Sequence, residues 1–224
     1  MRAIVRATFA RFSALLESYC TWMYPDVLGL VTVGEGDLVD SVAAVQALDW
    51  QRPDGTVASP AEVEAAFWAV KNSGLGRLGG AAAAVRALTT IRLTHAGVDA
   101  LVEEKLLEND RALAAYFTSA RGTGWEFLNA YGQLGCHSLA WACGCAAITQ
   151  PGLHHFPKFA AALAAKRYDV CAVECFMPPA ANPGNNLTAR NSANRALFLK
   201  AAEVYAVGGC PDDLVWPLPN APTA

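Results

Sequence analysis

Glu17, Asp26 and Thr32 are the residues whose types and spacing could do chemistry together: a carboxyl, a second carboxyl nine positions on, and a hydroxyl six further. Two carboxyl groups across a cleft with a held water are what hydrolysis of a glycosidic bond needs. One group protonates the departing oxygen, and the other activates or positions the water. All three lie within Glu17-Ser-Tyr-Cys-Thr-Trp-Met-Tyr-Pro-Asp26-Val-Leu-Gly-Leu-Val-Thr32-Val-Gly34-Glu-Gly36.

The elements that must position them are written into the flanking residues. Ile4, Val5, Phe9, Phe12, Leu15, Leu16 and Tyr19 recur at a helical period, which predicts a helix over residues 1–20 with Glu17 at its end. The negative end of the helix dipole, with Tyr19 and Trp22 as desolvating neighbours, would raise the pKa of Glu17 and keep its proton available. Pro25-Asp26 is turn chemistry. Gly29, Gly34, Gly36 and the β-branched run Val31-Thr32-Val33 predict a β-hairpin region over residues 24–40. Gly34 and Gly36 allow that hairpin to be tight. Asp26 needs a polar, hydrated setting to stay ionised beside the Thr32 hydroxyl. Plainer readings stand next to these: a surface glutamate, a turn aspartate, and a threonine chosen for β-propensity.

The segment resembles the catalytic motif of the T-even bacteriophage lysozymes, glycoside hydrolase family 24. That family carries a helix-terminal Glu, an Asp, a Thr and a Gly-x-x-Thr-[Ile/Val]-Gly-x-Gly hairpin, here Gly29-Leu-Val-Thr32-Val33-Gly34-Glu35-Gly36. Phe156–Asp169, which ends Lys166-Arg167-Tyr168-Asp169, is similar to the family's stretch ending Lys-Arg-Trp-Asp. Thr188–Arg195 is similar to its Asn/Arg-rich loop and following helix, and Leu93–Leu113 looks like its inter-lobe helix. The resemblance spans roughly residues 13–40 and 90–207, and residues 41–90 read as an enlarged connection.

What the resemblance implies is an α+β, mostly α, lysozyme-like fold: a small N-terminal β-hairpin lobe, a larger helical lobe, and the active-site cleft between them. It implies a muramidase that cleaves the β-1,4 bond between N-acetylmuramic acid and N-acetylglucosamine of peptidoglycan with inversion. Glu17 would be the general acid, Asp26 the base or water-positioning carboxylate, and Thr32 the second holder of the water. Saccharide contacts would come from Asn191, Arg195 and the segment near His137. No metal and no cofactor is implied.

One position departs from the family pattern. The family has His after Gly-x-Gly, where this chain has Asp37, and the intervening residue is the acidic Glu35. Either acid could raise Glu17 by like-charge repulsion, and the departure leaves open which carboxylate is the base. It also motivates a second reading, a non-enzymatic lysozyme-fold module of a phage tail or injection apparatus. A chitinase-like hydrolase would differ only in substrate.

Composition bounds the remainder. With 224 residues, 54% hydrophobic and 17% charged, the chain has ample material for a core in one domain of two lobes or two small ones. The divisions expected are 1–90, 91–209 and a Pro-rich tail at 210–224. A net charge of −3 gives no electrostatic footprint for nucleic acid. No apolar run reaches about 18 residues unbroken, so stable membrane insertion is not expected. Arg6 and Arg11 interrupt any signal-peptide core. The reading is a monomer made in the cytoplasm that acts on the cell wall after release through a holin or an injection machine, as endolysin or delivered antibacterial effector.

Ser59-Pro60-Ala61-Glu62 predicts a helix start with its end near Asn72, and Thr94 caps another helix. Residues 125–149 predict the central core helix, and 156–163, 168–176 and 193–207 complete a helical lobe. Gly74–Gly80 reads as a connector, because a phosphate cradle would need a strand before it and Lys-Ser/Thr after it. His154 and His155 read as solvated caps. The seven cysteines (20, 136, 143, 145, 171, 175 and 210) read mainly as small buried hydrophobes, with a disulfide or metal site as the alternatives.

Overall fold

The computed structural model describes residues 1–120, 124–149, 156–178 and 187–217; His154, His155 and the end of the tail lie outside them. The chain is mostly helical with a small antiparallel sheet, an α+β architecture. It forms two compact units, Glu17–Lys105 and a second one made of Met1–Leu16 with Leu106–Ala224. The division falls after residue 105 rather than 90, and the N-terminal helix belongs with the helical unit.

Helix α1 spans Ala3–Ser13, shorter than the periodicity suggests. Its last turn closes through Ala14 N donating to Ala10 O, and Leu16 N then donates to Ser13 O at 2.8 Å. Beyond that the aromatic and β-branched run Tyr19–Tyr24 favours extension over helix. Glu17 therefore sits in a bend, three residues before the first strand, and not at a helix C-terminus. Glu17 is therefore not held at the negative end of a helix dipole.

In the Glu17–Lys105 unit, strands β1 (Cys20–Pro25), β2 (Val31–Gly34) and β3 (Asp37–Leu38) form an antiparallel sheet in the order β1-β2-β3. Tyr24 pairs with Thr32 and Thr32 with Leu38, while Val33 pairs with Asp37. Helix α2 (Val42–Gln46) follows, then β4 (Trp50–Gln51), which pairs with β5 (Arg92–Leu93). Between them lie α3 (Pro60–Lys71) and the short α4 (Ala83–Arg86). Ser59 and Glu62 cap α3 reciprocally, with Pro60 in its first turn and Asn72 at its end, as the residue types require. Met23, Val31, Val33, Trp50, Phe67 and Val70 are among the buried core residues of this unit.

Helix α5 (His95–Ala115) begins under Thr94, whose hydroxyl accepts from Gly97 N at 2.9 Å. In the helical unit, α6 (Ala130–Cys143) is buried from Ala130 through Trp141. Its cap, Asn129, accepts from Gly132 N and donates to Ala201 O, each at 2.9 Å. The single helix expected over 125–149 is instead a 3-10 turn at Trp125–Phe127, then α6, then α7 (Ala146–Thr149). The break is Gly144, which ends α6 at φ +77°. Cys143 and Cys145 thus lie on either side of a helix end, not on one helix.

Helices α8 (Pro157–Ala164), α9 (Tyr168–Glu174) and α10 (Thr188–Ala206) complete the unit. The last begins five residues before its expected start at Ala193. Cys136, Cys171 and Cys175 are buried there, and Cys20 is buried in the other unit. Burial pushes the Cys175 thiol up to about 12 and Cys20 to about 11, so neither is a ready thiolate.

Helix α10 approaches α6 where α6 carries glycine. A Cβ built on Gly135 would stand 2.6 Å from the Phe198 ring. Gly135→Ala is expected to cost about 1–3 kcal/mol as an overpacked core, read by urea denaturation. An unchanged midpoint would show that Phe198 has room to move.

Candidate functional site

The candidate site is built on the β1–β2 turn. Asp26 follows β1, and its Oδ1 accepts from Leu28 N and Leu30 N, each at 2.8 Å. Its backbone N donates to Leu30 O at 2.8 Å, and Gly29 N donates to Asp26 O at 3.0 Å, with Gly29 at φ +76°. One carboxylate oxygen is thereby committed to the turn. Val31 N donates to Asp40 Oδ1 at 2.8 Å, and Lys71 Nζ joins that carboxylate at 2.7 Å and the Gly29 carbonyl at 3.2 Å.

Thr32 is buried on β2, and its hydroxyl donates to Leu30 O at 3.2 Å. A hydroxyl so engaged keeps its acceptor lone pairs. Directly opposite it on β1 is Tyr24. Burial pushes the Tyr24 hydroxyl far above its ordinary range, and the Cys20 thiol and the carboxylates of Glu17, Asp37 and Asp26 push it further. The carboxylates of Glu17, Asp37 and Asp26 thus all act on one tyrosine hydroxyl, and Thr32 is the cross-strand neighbour of that tyrosine.

Tyr19 anchors the segment that carries Glu17. Its hydroxyl lies 3.0 Å from Asp99 Oδ1 and 3.1 Å from His95 O, and its ring stacks on His95 at 5.4 Å. Burial, then Asp99 and Glu35, push that hydroxyl up to about 12.

The Gly74–Gly80 segment is more than a connector. Gly76 abuts the Asp26 carbonyl so closely that no Cβ fits between them. A Cβ on Gly80 would stand 2.8 Å from the Tyr24 ring, and Gly80 O accepts from Trp22 Nε1 at 2.9 Å. Glycine is required where backbone meets backbone or an aromatic face this closely. The signal in the sequence was the glycine density itself, which does not say what the loop abuts.

Asp37, at the position that departs from the motif, sits on the other side of the sheet. Asp37 pairs with Val33, one residue beyond Thr32, so its side chain leaves the face opposite to that of Thr32. It is only 6% exposed, its Oδ1 lies 3.7 Å from Lys105 Nζ, and Lys105 also donates to Gly36 O at 2.8 Å. A Cβ on Gly34 would lie 2.8 Å from Asp37 Oδ2, so Gly34 makes room for this carboxylate. Burial pushes Asp37 up, against the opposing pull of Lys105 and the Glu35 backbone. Buried and turned away from Thr32, Asp37 is not placed to stand in for Asp26 as base. Glu35 is buried as well, at 2% exposure.

The predicted saccharide contacts fare unequally. His137 is fully enclosed, edge-on to Phe9 and Trp125, with Nε2 at 3.5 Å from Asp110 Oδ1. Burial lowers its pKa, and with no atom at the surface it is a core residue rather than a sugar contact. Asn191 clamps the Met177 backbone, accepting from its N and donating to its O at 2.9 Å each, so its amide is committed. Arg195 is exposed on α10, one turn further on. Ser138, beside His137, accepts from Arg190 Nη1 at 3.1 Å.

Among the described residues no group of three or more His, Cys, Asp or Glu is disposed to hold a metal ion, and no helix is long and apolar enough to cross a membrane. No protein-family model, curated protein or solved structure matches the chain.

Two outcomes follow from the turn and the ion pair. Asp26→Ala removes the acceptor of two backbone N–H groups and should lower stability by about 1–3 kcal/mol, whereas Asp26→Asn keeps an acceptor oxygen and should lose less. Equal losses in chemical denaturation would contradict this account of the turn. Asp37 has a folded-state pKa above its unfolded one. Its stabilising share is therefore complete below about pH 3.9 and fades as pH rises through the folded value. The stability of Asp37→Asn should gain on the wild type as pH rises from about 4 to 7, and a constant difference would show that Asp37 does not titrate high.

Proposed function

We propose that this chain is a peptidoglycan muramidase of lysozyme-like fold, with Glu17 as general acid and Asp26 with Thr32 holding the hydrolytic water. The observation that carries the reading is the placement of Asp26 and Thr32 on one hairpin, with Glu17 in the segment that leads into it. Glu17 precedes β1, Asp26 follows it, and Thr32 lies in β2 opposite Tyr24. In this reading Glu17 donates its proton to the bridging oxygen as the glycosidic bond breaks. The remaining oxygen of Asp26 and the acceptor lone pairs of Thr32 orient a water toward the anomeric carbon from the other face. A water placed in that way inverts the configuration. The fold of the family, delivery through a holin or an injection machine, and action on the wall belong to the same proposal.

A second reading has its own observation. Thr32 is 4% exposed and Asp26 already serves the turn, so both residues have full structural employment without any substrate. A non-enzymatic module would retain them for that reason alone.

Turbidity loss of outer-membrane-permeabilised Gram-negative cells separates the two readings. The wild type should lyse them, and folded Glu17→Gln should be slower by at least about a hundredfold, the range of one general acid. Wild-type lysis by that variant removes Glu17 from the mechanism, and an inert wild type favours the module.

Asp26→Asn and Thr32→Ala should each lower the rate, and their double variant should be little worse than the worse single one, because both hold one water. Multiplicative losses would mean that they act separately. The first-formed reducing end should be the α anomer, and a β product would mean retention through a covalent intermediate.

A further inference from the structure

Next to Tyr24 on β1 the molecule carries a second constellation. The Trp22 indole is tied to Gly80, the same glycine that abuts the Tyr24 ring. Beside it stand two arginines: the Arg86 guanidinium carbon lies 5.1 Å from the centroid of the ring and that of Arg92 lies 5.7 Å from it.

Arg92 is half-buried and fixed. Its Nη1 donates to Thr89 O at 2.7 Å and Ile91 O at 2.6 Å, and its Nη2 donates to Arg86 O at 2.9 Å. Arg86 is exposed, and its guanidinium lies over the indole. No carboxylate among the described residues is within ion-pair distance of either arginine, although the chain has more acids than bases. Two like charges beside one ring, neither neutralised, leave a net positive field that an anion would offset. Arg92 supplies a stationary charge, because both of its Nη groups are already committed. Arg86 supplies an open fork of the geometry that grips a carboxylate with two parallel bonds. The indole, packed against the cluster of Cys20, Tyr24 and Val85 and lying beneath both guanidinium groups, fixes where the two charges stand.

We propose that Arg86, Arg92 and Trp22 form a subsite for a carboxylate-bearing ligand. The identity of that ligand rests on the muramidase reading: it is the free carboxylate of the peptide stem that branches from the wall saccharide. The subsite adjoins Tyr24 through Gly80, and this adjacency to the candidate site is what favours a branch of the same substrate as its ligand.

The test compares the wild type with Arg86→Gln and Arg92→Lys, the latter keeping the charge at the position whose hydrogen bonds support the backbone. Calorimetry would use three soluble probes: a disaccharide–tetrapeptide wall fragment, the same fragment with amidated carboxyls, and an N-acetylglucosamine tetramer. Arg86→Gln should weaken the first by at least about tenfold, the loss of one charge-assisted pair, and leave the tetramer unchanged. Arg92→Lys should bind the first within a few-fold of wild type, and the wild type should prefer the free over the amidated fragment. Equal affinity of wild type and Arg86→Gln for the first fragment overturns the proposal. If no saccharide binds the wild type, the muramidase reading fails and the subsite is judged by acetate and inorganic phosphate. Either ion should then shift the Trp22 indole N–H resonance, assigned by Trp22→Phe, in the wild type and not in Arg86→Gln. Absence of that shift overturns the subsite itself.

Discussion

The Asp26 carboxylate, gripping the backbone N–H groups of Leu28 and Leu30, is the constraint on which the rest of the candidate site depends. That grip closes the β1–β2 turn at one length, and the length sets the register. A register slip of one residue would send Thr32 to the opposite face and bring Val33 opposite Tyr24. The Lys71–Asp40 pair braces the same turn by holding the Gly29 carbonyl and the Val31 N–H. The chemistry proposed for Asp26 and its service to the turn are therefore compatible only because a carboxylate has a second oxygen.

Around that turn, glycine decides what can come close. Gly76 and Gly80 bring a loop from the segment without counterpart in the resemblance against Asp26 and Tyr24. Gly34 leaves the space that Asp37 fills, and Lys105 supplies the charge that makes a buried carboxylate tolerable there. The acid at the histidine position of the motif is held beside Lys105, which also ties the Gly36 carbonyl of the β2–β3 turn. It lies on the face away from Thr32.

Much of this was legible in the sequence, for identifiable reasons. Ser59-Pro60-Ala61-Glu62 specifies a helix start by side-chain chemistry within four residues, and the capping box is formed. Val31-Thr32-Val33 between glycines specifies a strand and its turns, and β2 is there. The end of α1 was not legible, because Leu15, Leu16 and Tyr19 continue a helical period that the β-forming run after them overrides. Nor was the enclosure of His137, since its neighbours Phe9, Trp125 and Asp110 come from distant parts of the chain. Asn191 has the residue type of a sugar contact, but its amide is consumed by the Met177 backbone, a partner that only tertiary structure reveals.

The central claim is that the hairpin cleaves one particular bond. Purified sacculi treated with the protein and then reduced with borohydride report that bond directly, since only the newly freed reducing ends become sugar alcohols. A muramidase yields muramitol, and that is the result predicted. Glucosaminitol as the product, or no new reducing ends at all from a folded protein, would contradict it.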